Sequence, residues 1–271
     1  MRNFKRIIIF VLILLIIFFA IKICNNRESF INKRTNIAII IPTTSNKRSF
    51  KNIREIDFFK IFLPSFLKTC SNDYNYNFYI GIDHDDKFFI KQHTNLINHF
   101  KKVTNNKSNY SISVEKMYNL KGKVGEIWSN LAKTAINNNN EYLYQLGDDI
   151  KFLTSGWEKL FINKLKELNN IGVVGPLDIK NKHVLSQSFV HKTHLKIFDK
   201  YYPDRIKNWY IDNWIQDVYK PNRFFMFKDI QVENDGGSQR YEIKRHDPND
   251  LKVLVESGKK KIDNYIKKIV N

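Results

Sequence analysis

Asp148 and Asp149 stand side by side, directly after the apolar stretch Tyr142-Leu-Tyr-Gln-Leu146. Two adjacent carboxylates repel each other, and a cation between them relieves the repulsion. Their oxygens are hard ligands, of the kind that Mg²⁺ or Mn²⁺ takes. The plainer alternative is a strand-to-turn cap, in which the aspartates accept backbone N–H bonds. Residue type and spacing leave both open. Two further polar clusters have the same setting, each at the end of an apolar run: Pro42-Thr-Thr-Ser45 and Asp83-His-Asp-Asp86.

The elements that carry these clusters read as alternating strands and helices. Ile37 to Ile41 is apolar on both faces, as a buried parallel strand is, and Pro42 stops it. A helix is expected over Ile53 to Leu67, interrupted near Pro64. A strand follows at Phe78 to Ile82, and a helix at Phe88 to Phe100. Tyr110 to Val114 alternates as a strand. Val124 to Ile136 has helical spacing, with Ile127, Leu131 and Ala135 on one face. Glu141 to Leu146 is a strand, Trp157 to Leu168 a helix, and Ile171 to Gly175 a strand. From His191 onward the chain is richer in helix and aromatics. The alternation predicts an α/β domain with a mostly parallel central sheet flanked by helices, and no linker divides it. In such sheets ligands sit beyond the carboxyl ends of the strands, where the three polar clusters lie.

Composition narrows the classes. The 271 residues include 42% hydrophobics, with 21 Phe and 13 Tyr, enough to bury a core. Cys24 and Cys70 are too few for a disulfide framework or a multi-cysteine zinc site. No segment has the pattern of a Walker phosphate loop or a Gly-rich dinucleotide turn. The formal charge is +18. Nucleic-acid binding is one source of such a charge. However, the lysines are scattered, and Lys, Asn and Ile are abundant together, as in chains from A/T-rich genomes. No specific nucleic-acid partner is expected.

Ile7 to Ile21 is an unbroken apolar run, preceded by Arg2, Lys5 and Arg6 and followed by Lys22. With Phe4, Ile23 and Cys24 it reaches the length of a thin-membrane span. No small-x-small cleavage pattern follows Ala20, so a retained signal anchor is expected rather than a cleaved signal peptide. The expected organisation is a cytoplasmic tail over 1–6, a single-pass transmembrane helix over 7–24, a polar stem over 25–36 and one catalytic domain over 37–271. The basic flank places the N-terminus in the cytoplasm and the domain on the lumenal side, in an endoplasmic reticulum or Golgi type of setting.

The body resembles glycosyltransferases of the GT-A fold, which have a Rossmann-like sheet and use a nucleotide-sugar donor. The resemblance rests on Ile37-Ala-Ile-Ile-Ile-Pro-Thr-Thr44, Tyr79-Ile-Gly-Ile-Asp83 and Tyr142-Leu-Tyr-Gln-Leu-Gly-Asp-Asp149. It implies a nucleoside-wrapping loop at Pro42, Thr43 and Thr44, a base or ribose contact at Asp83, and donor and metal contacts at Asp148 and Asp149. Mn²⁺ or Mg²⁺ is the implied cofactor, and the family's late histidine ligand has its candidate here in His246. Gln187 to His194 and Asn208 to Asp217 are similar to acceptor-side segments of membrane-anchored members, which places His191, Trp209 and Trp214 at a glycan or glycoprotein acceptor. Arg48, Lys123 and Arg240 are each candidates to meet the diphosphate. An inverting transfer also needs a carboxylate base. Asp212, between Trp209 and Trp214, is the first candidate, because burial beside aromatic rings raises a carboxyl pKa. The plainer reading of Asp212 is a cap on a helix starting at Asn213, with both tryptophans in the core. Asp217 is the second candidate.

Two other classes compete. Gly-Asp-Asp after an apolar strand also occurs in palm-type nucleotide polymerases, although this chain is short for one. The other rival is a membrane-anchored carbohydrate-binding or scaffold protein with the same fold and no activity.

Overall fold

The computed structural model describes residue 16 and residues 34–237, 239–242 and 248–270. The expected anchor over 7–24, and most of the expected stem, lie outside the described residues apart from Ile16. Among the described residues no helix is long and apolar enough to cross a membrane. The chain divides into two units, 1–35 and 36–271, and the second holds the central sheet and its covering helices.

Among the described residues, eight strands form one sheet in the order β3-β2-β1-β4-β7-β6-β8-β5. They are β1 (Thr35–Thr43), β2 (Tyr74–Asp83), β3 (Tyr110–Met117), β4 (Tyr142–Gln145), β5 (Ile150–Phe152), β6 (Val173–Asp178), β7 (Phe189–His191) and β8 (Phe224–Asn234). The helices are α1 (Leu63–Thr69), α2 (Lys87–Val103), α3 (Val124–Asn137), α4 (Trp157–Glu167), α5 (Thr193–Phe198), α6 (Ile211–Tyr219) and α7 (Pro248–Val270).

β1 shows why the sheet is covered on both sides. Ile37, Ile39 and Ile41 pack into one core cluster and Ala38 and Ile40 into the other, all with no exposed surface. α1, α2 and α4 cover the first face with Phe66, Phe100 and Trp157 among others. α3, α5, α6 and α7 cover the second, with Leu131, Phe198, Trp214 and Ile262. A strand buried this way has no polar face, which is what its continuous apolar run encodes.

The sheet is mixed, a parallel framework with antiparallel members. β1 with β4, β2 with β3, and β6 with β8 run parallel. β4 with β7, β6 with β7, and β5 with β8 run antiparallel. Chain length between strands explains the antiparallel members. A parallel return needs a crossover of about a dozen residues or more, usually a helix. The link from Asp178 to Phe189 contains no helix and reverses direction instead.

Local boundaries also differ. The expected helix does change near Pro64: a π-helical turn over Phe58–Phe62 runs directly into α1, and Pro64 sits in the first turn after the junction. A short 3₁₀ turn, Ile53–Glu55, precedes them. Asp86 belongs to the N-cap of α2, its side chain accepting from the Phe89 N–H at 3.2 Å.

Candidate functional site

Strand direction gathers the polar clusters on one edge. β1 and β4 are parallel, so Thr43 and the Gly147-Asp-Asp149 turn leave the sheet together. β6 is antiparallel to β7, which is antiparallel to β4, so β6 points the same way as β4 and delivers Asp178 to that edge. β8 is parallel to β6, and residues 235–237 leave from the same edge. A cavity of about 620 Å³ opens there, bounded by Pro42, Thr43, Thr44, Asp83, Asp148 and Asp149 together with Trp128, Asp178, Asn208, Arg48, Arg240 and Tyr241. The five donor-side residues expected from sequence, with Asp149, thus line one cavity.

Thr43 and Thr44 bind acids on different strands. The Thr43 hydroxyl donates to Asp148 Oδ2. Thr44 Oγ1 lies 3.1 Å from Asp83 Oδ2 and 3.3 Å from Asp86 Oδ2. The Ser45 N–H and hydroxyl both bind Asp86 at 2.7 Å. The loop after β1 is thereby tied to the end of β2. Tyr241 reaches the same point from the far end of the chain, its hydroxyl 2.8 Å from Thr44 Oγ1 and donating to Asp83 Oδ2.

Asp148 and Asp149 do not face open space. Arg240 Nη1 donates to Asp148 Oδ1 at 2.6 Å, and Nη2 lies 2.8 Å from Asp57 Oδ2 and 3.5 Å from Asp149 Oδ2. Burial raises both carboxyl pKa values, Asp148's charge raises that of Asp149 further, and Arg240 opposes the shift in each. Gly236 lies against Asp149, where a Cβ would come within 1.9 Å of Oδ2 and displace the carboxylate.

A divalent metal does not fit these residues as they stand. Both Asp148 oxygens are engaged, by Thr43 and Arg240. Among the described residues no three His, Cys, Asp or Glu side chains form a set that holds a metal ion. His246, the expected third ligand, lies outside the described residues.

On the acceptor side the expectations divide. Trp209 is exposed and follows Asn208, which lines the cavity. Trp214 is a core residue, buried against Phe198 and Tyr202, with its indole N–H on the Leu254 carbonyl at 3.3 Å. His191 is the last residue of β7 and pairs with Tyr142 at the start of β4. It therefore stands at the opposite edge of the sheet from Asp148. Its Nδ1 is 2.7 Å from Thr193 Oγ1, and burial pushes its pKa down to about 4. Neither residue is brought to the cavity.

Asp212 lies in the first turn of α6, which starts at Ile211 rather than Asn213; the N-cap position is Tyr210, so Asp212 is not the cap. It does not border the cavity. Its carboxyl pKa is pushed up to about 7, first by burial and then by the charge of Asp178. Asp217 is paired with Lys220 at 3.2 Å. Lys123 lies 3.9 Å from Glu126.

Asp178 is the acid that sequence reading missed. Its Oδ1 accepts from the Lys180 N–H at 3.0 Å and the Asn234 N–H at 3.3 Å. Its buried Oδ2 has no hydrogen-bond partner among the described residues. The signal available was its place at the end of an apolar run, the same setting as Asp83 and Asp148, hidden because Gly175-Pro176 reads as the end of that strand.

No protein-family sequence model matches the chain, and no curated protein matches it. Its fold is similar to solved structures of TarS from S. aureus. TarS 1–349 in complex with UDP-GlcNAc superposes with a TM-score of 0.55 at 15% identity, over 83% of this chain and 66% of that one. The complex with UDP gives 0.53 at 14% identity, over 83% and 65%. A longer TarS structure gives 0.52 at 14%, over 74% of this chain and 37% of that one. The chain thus spans less than two thirds of the chains it resembles. At this identity the likeness shows the fold alone, a central sheet flanked by helices that this chain shares with TarS.

Proposed function

We propose that the protein is a glycosyltransferase that binds a nucleotide-sugar in the cavity at the carboxyl edge of β1, β2, β4 and β6. The observation that carries this reading is the convergence of Thr43, Thr44, Asp83, Asp148 and Asp149 on one cavity, in a fold shared with a protein solved with UDP-GlcNAc. Pro42 and Thr44 border the nucleoside, Asp83 accepts from its ribose or base, and Asp148 and Asp149 stand at the diphosphate and sugar.

The transfer breaks the bond between the anomeric carbon and the diphosphate oxygen, which departs with the electron pair. The acceptor hydroxyl oxygen forms the new bond to that carbon and gives its proton to a base. For an inverting transfer that base is drawn from the Asp178 and Asp212 pair. Asp178 borders the cavity with one oxygen unpartnered, and its charge adds to the burial that raises the Asp212 carboxyl to about 7. Trp209 is the remaining aromatic candidate for the acceptor side. The acceptor is a glycan or protein hydroxyl. Mn²⁺ or Mg²⁺ at Asp148 and Asp149 competes with Arg240 for the same oxygens and forms no part of this reading. The expected anchor at 7–24 places the enzyme on a membrane.

The test is a thermal-shift screen of nucleotide-sugars. A shift with one donor, lost in Asp83→Asn and Asp148→Asn, followed by hydrolysis or transfer of its sugar, supports the reading. Binding without turnover under any acceptor favours the inactive carbohydrate-binding alternative.

A further inference from the structure

A bound diphosphate adds negative charge beside Asp148 and Asp149, so the site needs a cation. Among the described residues, the cationic side chains that line the cavity are Arg48, Lys180 and Arg240. Lys180 is half exposed and turned to Glu233 at 2.8 Å and Asp235 at 3.2 Å. Arg240 is different. Its side chain is only 15% exposed, and carboxylates from two distant segments close on it: Asp57 from the turn before α1, and Asp148 and Asp149 from the turn after β4.

The guanidinium is also held from behind. The Arg240 carbonyl accepts from Asn46 Nδ2, and the next residue is fixed through its hydroxyl to Thr44 and Asp83. Arg48 lies 3.9 Å from Asp57 and adds a second positive charge to the cluster. A planar guanidinium can bridge several carboxylates through its fork of N–H groups, where a divalent ion would bridge them through direct oxygen ligation.

We propose that Arg240 is the resident cation of the donor site: it holds the place between Asp148 and Asp149 that a divalent ion would take, and it presents its remaining N–H donors to the donor's diphosphate. The first half stands on the carboxylate cluster alone. The second half rests on the nucleotide-sugar reading above. The donor then binds without added metal, and the carboxylate pair serves to position the guanidinium.

Two probes test this on the full chain. The first is Mn²⁺ alone, titrated by electron paramagnetic resonance. Wild type is expected to take up Mn²⁺ weakly. Arg240→Ala, which leaves the carboxylates facing one another, is expected to bind it at least roughly tenfold tighter, and Asp148→Asn in that background removes the gain. Tight Mn²⁺ binding by wild type that Asp148→Asn abolishes overturns the proposal. The second probe is whichever of UDP, GDP, CDP and dTDP binds wild type most tightly. Its affinity is expected to survive EDTA, and to fall roughly tenfold to a hundredfold in Arg240→Ala, as for the loss of charge-assisted hydrogen bonds. Loss of wild-type binding in EDTA, or unchanged metal-free binding in Arg240→Ala, overturns it. If Arg240→Ala does not fold, Arg240→Lys replaces it in both arms, with the same directions and smaller changes, because an ammonium lacks the fork. If none of the nucleotides binds wild type, the donor reading falls, while the Mn²⁺ arm still decides which cation the cluster holds.

Discussion

Asp212 combines a raised pKa with a neighbour of like charge, and both have consequences that can be measured. Its carboxyl releases its proton at about 7 in the folded chain, against about 4 for an ordinary aspartate. The folded state therefore holds a proton that the unfolded chain loses. Its contribution to stability is present below about pH 4 and is lost as the pH rises through about 7. Asp212→Asn, which has no charge to desolvate, should be more heat-stable than wild type at pH 8 and equal to it near pH 4. If Asp212 is the base, the same variant should lose turnover by roughly 10²- to 10⁴-fold with donor affinity unchanged. Asp178→Asn with that loss, and near-normal turnover in Asp212→Asn, would assign the base to Asp178. A product of retained configuration would remove both from that role.

Tyr241 has a role opposite to that of Asp212. Its hydroxyl holds Thr44 and Asp83 together, on the carboxylate that the donor reading assigns to ribose or base. Tyr241→Phe should lower the stability of the ligand-free protein by about 1.5–3 kcal/mol, as a lost bond to a charged group does. Nucleotide affinity should be equal or higher, since a competitor for Asp83 is gone. A drop in affinity alongside unchanged stability would show that the hydroxyl binds the donor instead.

At the scale of elements, the junction of β6 and β7 decides where Asp178 ends up. A Cβ on Gly175 would lie 2.2 Å from the Gln187 carbonyl oxygen and 2.7 Å from a Leu185 methyl. Backbone cannot yield as a side chain can, so Gly175→Ala should cost about 1–3 kcal/mol and lower Tm by several degrees. Nucleotide-sugar turnover should fall with it, because Asp178 is carried three residues further along the same strand. The elements visible in sequence were those whose pattern is local. β1 reads as a strand from its apolar run, and α3 as a helix from the spacing of Ile127, Leu131 and Ala135. β5 and β7 have three residues each, too few for any period to register. β8 begins with the continuous run Phe224-Phe-Met-Phe227, which periodicity cannot distinguish from buried helix. In the site, Thr43, Thr44, Asp83, Asp148 and Asp149 were legible because each ends an apolar run. Arg240 was one of three candidates with nothing local to select it. What selects it is contact with Asp57, 183 positions away, and with Asp148, 92 positions away.

At the scale of the whole molecule, the charge of +18 and the apolar run at Ile7 to Ile21 make separate predictions. Binding to nucleic acid, where it occurs, should be independent of sequence and fall steeply with salt, as expected for phosphate contacts alone. A sequence-selective affinity that persists at high salt would revive the polymerase alternative. If 7–24 is a retained anchor, the full chain should stay with membranes through carbonate extraction, and a chain from Thr35 onward should be released. Recovery of a released form beginning near Cys24 would indicate cleavage instead.

The sheet order has a consequence for synthesis. β8 lies between β6 and β5, so β5 pairs only with a strand that comes more than seventy residues later. A growing chain that has reached Tyr219 at the ribosome has a β5 without its partner and a β6 open along one side. Both are strand edges that favour pairing with another chain. Arg240 emerges later still, so until then Asp57, Asp148 and Asp149 lack their shared guanidinium. Nascent chains stalled between about 150 and 224 should therefore be the ones that aggregate or recruit chaperones, and emergence of β8 and Arg240 should complete the sheet and supply the shared guanidinium within one late folding step.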